Sequence, residues 1–140
     1  MLDQPALGPL ALHHVAIVVR DLAAARERYA ALGFPAPHAE AVADQRVLVE
    51  TFALASGYVE LIQPTDPDGP IARFLEKRGE GLHHVAYRVD DLDGALRDLA
   101  ARGAWLIDET PRRGARGWKV AFVHPESCAG VLTELVEEPR

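Results

Sequence analysis

The sequence predicts an α+β fold of two tandem βαβββ modules. Three observations predict it. The chain repeats itself: LHHVAIVVRDL at 12–22 returns as LHHVAYRVDDL at 82–92. In each copy a strand-like period of two gives way to a helical stripe. Each helical stripe is then followed by further strand-like runs. His14 to His84 is 70 positions, and the same offset carries Asp21 to Asp91, Ala25 to Ala95, Tyr29 to Leu99 and Gly33 to Gly103 without a gap. Fixed-period self-similarity marks a repeated unit, and two copies are too few for a solenoid. The reading is a duplicated module with a pseudo-twofold axis.

Each copy opens with a strand. In HHVAIVV the β-branched Val15, Ile17 and Val19 share one face, and His14, Ala16 and Val18 the other. In the second copy Val85, Tyr87 and Val89 share a face, opposite His84, Ala86 and Arg88. A bulky apolar face suits packing beneath a helix; a face with His and a small Ala suits a cleft. His13 and His83 then point the other way. Asp21 and Asp91 are helix N-caps, because a carboxylate accepts from the first free N–H groups. Leu22, Ala25, Tyr29 and Leu32 make one apolar stripe; Leu92, Ala95, Leu96 and Leu99 make the other. Gly33 and Gly103 sit where a helix ends in a left-handed residue.

Further strands follow. Module one continues with RVLVETFAL and YVELIQP. Module two continues with a short strand near AWLIDE, then WKVAFVHP and GVLTELVEE. Between the modules, DGPIARFLEKRGEG reads as a connector helix started by Pro70 and stopped by Gly79 and Gly81. The organisation is a single domain over residues 1–140, with module one at about 12–66, the connector at about 67–80 and module two at about 81–138.

Bulk properties narrow the function. A net charge of −6 argues against a nucleic-acid binder relying on a basic surface. No apolar run approaches the ~20 residues of a membrane span. The one cysteine, Cys128, has no intrachain partner, so a reducing cytoplasm is expected. MLDQPALGP lacks the pattern of a signal peptide and reads as a short loose lead-in.

Two acids carry the chemistry. Glu60 in YVELIQP and Glu134 in VLTELVE each lie in the last strand of a module, among apolar neighbours. A buried carboxylate costs several kcal/mol unless something compensates it. A metal ion is one such compensator; the plainer reading takes each strand histidine as structural rather than ligating. His14, Glu60, His84 and Glu134 make an N2O2 set, which leaves two open positions on a six-coordinate ion. The imidazoles favour a divalent transition metal over calcium or magnesium. Cobalt is expected first, with manganese, nickel or zinc as alternatives.

These stretches also carry a resemblance. LHHVAIVVRDL…RYAALGF, GPIARFLEKRGEGLHHVAYRVDDLDGAL and PRRGARGWKVAFVHPESCAGVLTEL resemble the vicinal oxygen chelate (glyoxalase-like) superfamily and, within it, the methylmalonyl-CoA epimerase family. The resemblance covers residues 12–137, with the FLEKRGEG connector and the HPESCAGVLTEL ending its more specific parts. It implies two modules around a shared metal cleft, with His14, Glu60, His84 and Glu134 as ligands. It implies epimerisation of methylmalonyl-CoA by removal and return of the α-proton, through an enolate that the metal stabilises. The substrate partner is then an acyl-CoA thioester and the assembly a homodimer, with no nucleic acid and no membrane.

Inverting a centre needs acid–base groups on both faces of the substrate. The resemblance implies a glutamate base on the second strand of module one. Glu50 is the nearest, and it aligns only if one extra residue precedes it; without the shift the position holds Val49. A β-bulge there would reconcile the two. Glu134 is the expected second group, with a water or Gln63 relay as the alternative. Arg113 and Lys119, beside Lys77, Arg78 and Arg116, are candidates for the CoA phosphates. The alternatives in this fold are a glyoxalase-type lactoylglutathione lyase, an extradiol dioxygenase and a non-enzymatic ligand-binding protein. A fourth ligand at Glu60 counts against the dioxygenase, and the complete ligand set counts against the binding protein.

Overall fold

A computed structural model of the chain describes Gly8 and residues 10–139. The expected lead-in and the outer limits of the single domain lie largely outside these residues. The elements run β1 (Ala11–Val18), α1 (Leu22–Ala31), β2 (His38–Val42), β3 (Val47–Leu54), β4 (Gly57–Pro64), α2 (Pro70–Arg78), β5 (Gly81–Arg88), α3 (Leu92–Ala101), β6 (Arg112–Arg113), β7 (Lys119–Val123) and β8 (Thr133–Glu137). The chain divides into two compact units, one of His14–His83 and one that joins Met1–His13 to His84–Arg140.

In the first unit the strands lie in the order β2-β3-β4-β1. β1 pairs with β4 in parallel and β3 with β4 antiparallel. One face carries Val19, Phe52 and Leu61, which pack with Leu22 and Ala25 of α1. Tyr29, Phe34 and Phe52 meet there at ring-centroid distances of 5.0 to 6.1 Å. Leu32, expected in the α1 stripe, is 73% exposed, because it is the C-cap residue and lies past the packed turns. Gly33 follows it with φ +98°, which a side chain would strain.

The second unit repeats the plan with β5-β8-β7-β6. β5 and β8 are parallel, β7 and β8 antiparallel. Val89, Leu92, Leu96, Ala121, Val123 and Leu135 form its core under α3. Each unit therefore has the βαβββ order. The strand expected near AWLIDE is only an isolated bridge, Leu106 to Val123. There Ile107 and Asp108 both donate to the Phe122 carbonyl, and the Asp108 carboxylate accepts from Phe122 N–H at 2.9 Å. The segment is thus looped against β7 rather than extended beside it, and the short strand forms later, at Arg112–Arg113.

The helix starts show how closely the two copies match. In α1, Asp21 accepts from the N–H groups of Ala23 and Ala24, and Gln63 Oε1 accepts from Leu22 N–H at 2.8 Å. In α3, Asp91 accepts from Gly94 N–H and Glu137 Oε1 from Leu92 N–H at 2.9 Å. A residue near the end of each last strand thus satisfies an orphan donor of its own module's helix. Gly94 leaves room for its cap: a Cβ there would stand 2.3 Å from Asp91 Oδ2. Replacing Gln63 or Glu137 with Ala should each destabilise the protein by about 1 kcal/mol, as loss of a cap does, readable as a lower midpoint in urea unfolding.

Candidate metal centre

Strand pairing fixes which side chains share a face. Ala16 pairs with Glu60, and Glu60 stands opposite Thr51. His14, Ala16 and Val18, Tyr58, Glu60 and Ile62, and Val47, Val49 and Thr51 therefore occupy the face turned away from α1. His14 and Glu60 are 2% and 6% exposed, with His14 Nε2 3.5 Å from Glu60 Oε2. The second unit builds the same pair. Ala86 pairs with Glu134, and Phe122 lies opposite it. His84 Nε2 is 3.6 Å from Glu134 Oε1, both groups are buried, and the Phe122 ring meets the His84 imidazole edge-on at 5.1 Å.

Both His–Glu separations exceed the ~2.7–3.2 Å of an ordinary N–H···O bond. Two donors each ~2.1 Å from one ion are ~3.0–3.6 Å apart at angles of about 90–115°. Each pair therefore has the spacing of two ligands of a single ion. The donors, neutral imidazole and carboxylate, suit a first-row transition metal. The residues of each unit fit the group that the sequence predicts.

The other expected site residues lie elsewhere. Glu50 is paired with Leu61 in an unbroken eight-residue register, so β3 has no bulge. Its carboxylate is on the α1 face, where Arg26 grips it with both Nε, at 2.7 Å, and Nη2. Glu50 is thus a structural partner of Arg26, and not on the face of His14 and Glu60. The same pair raises the Arg26 pKa, chiefly through the hydrogen bond to Glu50. Gln63 is also on the α1 face and spends its carbonyl oxygen on the helix cap. Lys119 sits opposite Glu137, 3.0 Å from Asp93 and 3.6 Å from Glu137, and the hydrogen bond to Asp93 is the main reason its pKa is raised. Its ammonium is committed to the α3 side. Arg113 is exposed on β6.

His13 and His83, expected on the helix side or at an edge, have structural neighbours. His13 is buried 2.9 Å from Glu138 and edge-on to Trp118, and His83 meets Phe74 of α2. His38 is half exposed and lies 3.3 Å from Glu40.

Thr51 escaped the sequence reading. It is 3% exposed on the Glu60 face, and its Oγ1 has no hydrogen-bond partner among the described residues. Its signal was a lone hydroxyl in the valine-rich alternation of RVLVETF. Arg26→Ala should lower the thermal midpoint by stranding the buried Glu50 carboxylate, while Arg26→Leu combined with Glu50→Leu should restore much of it. Calorimetric melts of the three proteins check this.

Residues 13–122 match the family model described as the Glyoxalase/Bleomycin resistance protein/Dioxygenase superfamily. The mitochondrial methylmalonyl-CoA epimerase of Bos taurus is 38% identical, over 95% of this chain and 79% of its own length. The crystal structure of methylmalonyl-CoA epimerase from Mycobacterium tuberculosis superposes with a TM-score of 0.88 at 40% identity, covering 93% of this chain and 89% of that one. A methylmalonyl-CoA epimerase in complex with methylmalonyl-CoA and NH4+ superposes at 0.87 with 35% identity, covering 91% and 94%. With matches of this extent and a buried His–Glu pair in each unit, the chain belongs to the Glyoxalase/Bleomycin resistance protein/Dioxygenase superfamily and, within it, to the methylmalonyl-CoA epimerases, a family of isomerases.

Proposed function

We propose that this chain interconverts the two epimers of methylmalonyl-CoA at the α-carbon, with one divalent metal ion held by His14, Glu60, His84 and Glu134. The observation that carries the reading is the buried His–Glu pair, present once in each unit at 3.5 and 3.6 Å. His14, His84 and Glu134 are all buried, and each offers one ligand atom. The names of the similar epimerases, one of them in complex with methylmalonyl-CoA, support the substrate class. Cobalt is the favoured ion, with manganese, nickel or zinc as alternatives.

The bound ion would act as a Lewis acid that stabilises negative charge on the substrate oxygens while the α-proton is away. The chain's own residues do the rest. The apolar neighbours of each pair, Val18, Val49 and Ile62 in one unit and Phe122 and Val136 in the other, keep the His and Glu groups out of water. In such a setting electrostatic interactions are stronger than in solvent. With Glu50 bound to Arg26 on the helix face, Glu60 and Glu134, the buried carboxylates on the faces of His14 and His84, are proposed to carry the proton. The duplication supplies one per module, which matches a reaction that removes a proton from one side and returns it to the other. Exposed Arg113 is proposed for a CoA phosphate. A homodimer and a cytoplasmic location complete the proposal.

The test is deuterium incorporation at the α-carbon of methylmalonyl-CoA in D2O, with metal-stripped protein before and after cobalt is added. Exchange with inversion that depends on cobalt is the expected result, and Glu134→Gln should slow it by about 10²–10⁴-fold. Absence of exchange with cobalt fully bound would overturn the epimerase reading. A glyoxalase-type lactoylglutathione lyase, assayed with methylglyoxal and glutathione, would then be the reading to test.

A further inference from the structure

We infer that Thr51 is a positioning residue for Glu60: its hydroxyl donates a hydrogen bond to the Glu60 carboxylate when that carboxylate ligates a metal ion. This rests on the metal-site reading above and assigns a role within it that neither the repeat nor the family resemblance supplies.

The geometry points there on three grounds. First, the β3–β4 register puts Thr51 directly opposite Glu60. Directly opposed residues of an antiparallel pair have Cβ atoms about 4.5–5.5 Å apart and share a face. Second, Thr51 is 3% exposed and its Oγ1 has no hydrogen-bond partner among the described residues. A buried hydroxyl without a partner is unfavourable, and in a native protein it marks a group absent from the structure or a bond made only in another state. Third, the alternation around it is apolar. Val47 and Val49 precede it on the same face, so valine, which has the same shape, would serve packing alone. His38 faces Thr51 from β2, but its imidazole is half exposed and beside Glu40.

A carboxylate that binds an ion through one oxygen has its second oxygen ready to accept. Hydrogen bonds from neighbouring residues to that oxygen hold the ligand in place and raise metal affinity. Thr51 is the hydroxyl at the right register to donate it. The second unit solves the same problem differently. There Phe122 stands opposite Glu134, and its ring meets the His84 imidazole edge-on.

The experiment compares wild type, Thr51→Val and Thr51→Ser. Each is stripped of metal, melted, then titrated with cobalt(II) against a chelating indicator while visible absorption is recorded. We expect metal-free Thr51→Val to melt no lower than wild type, since it loses an unsatisfied hydroxyl. Its cobalt affinity should fall about tenfold, with an altered visible spectrum, and Thr51→Ser should restore both. Unchanged cobalt affinity in Thr51→Val would overturn the inference. So would a lower melting point of its metal-free form, which would mean that the hydroxyl is already bonded in the free protein. Wild type that binds no cobalt would instead sink the metal-site reading on which the inference rests.

Discussion

In β4 the Glu60 carboxylate and the Leu61 side chain leave the backbone in opposite directions, and both are buried. One goes to the face of His14; the other goes into the core beneath α1. β8 does the same with Glu134 and Leu135. The pleat makes this possible, and it also makes the arrangement intolerant. A slip of one residue would drive the acid into the aliphatic core and pull the leucine out of it. The parallel pairing to β1 or β5 and the antiparallel pairing to β3 or β7 hold the register from both sides. The core of each unit is therefore also what aims its carboxylate.

Burying an imidazole beside a carboxylate has an energetic consequence. Neither group has bulk water to solvate it, and an unpaired charge in such a place is unfavourable. Apolar neighbours on the same face, among them Ala16 and Val18 in one unit and Ala86 and Val136 in the other, deepen this cost. The divalent cation proposed for these residues would offset it in each pair. The lost solvation and the donor spacing both accord with that proposal.

Much of this was legible in the sequence because it follows period and offset. The 70-residue repeat located both helices and both opening strands, alternation assigned His14 and His84 to their faces, and Glu60 and Glu134 stood out as lone acids in the last strand of each module. What was not legible turned on single residues. Glu50 and Val49 differ by one step along β3, and only the unbroken pairing with β4 decides that Glu50 faces α1. Gln63 read as a free polar group because nothing in a linear sequence shows a contact with Leu22, 41 residues away. Lys119 read as a free cation for the same reason, with Asp93 26 residues distant. The missing strand near Leu106 was lost to Asp108, whose side chain takes a backbone donor of β7. The repeat, the helices and the opening strands were read correctly; the strand near Leu106, the register of β3 and the long-range side-chain contacts were not.

The strand-to-helix caps bear on how the chain is made. Leu22 N–H waits for Gln63, 41 positions downstream, and Leu92 N–H for Glu137, 45 positions downstream. At about 5–20 residues per second, a ribosome needs a few seconds to supply each partner. During that time the first turn of each helix has its aspartate and solvent to satisfy it. Each module thus closes only when its last strand emerges, and that strand is the one that brings the glutamate. Nascent chains halted before β4 or β8 would carry a frayed helix start as well as half a site, so completion of the fold and arrival of the acid are one event in synthesis.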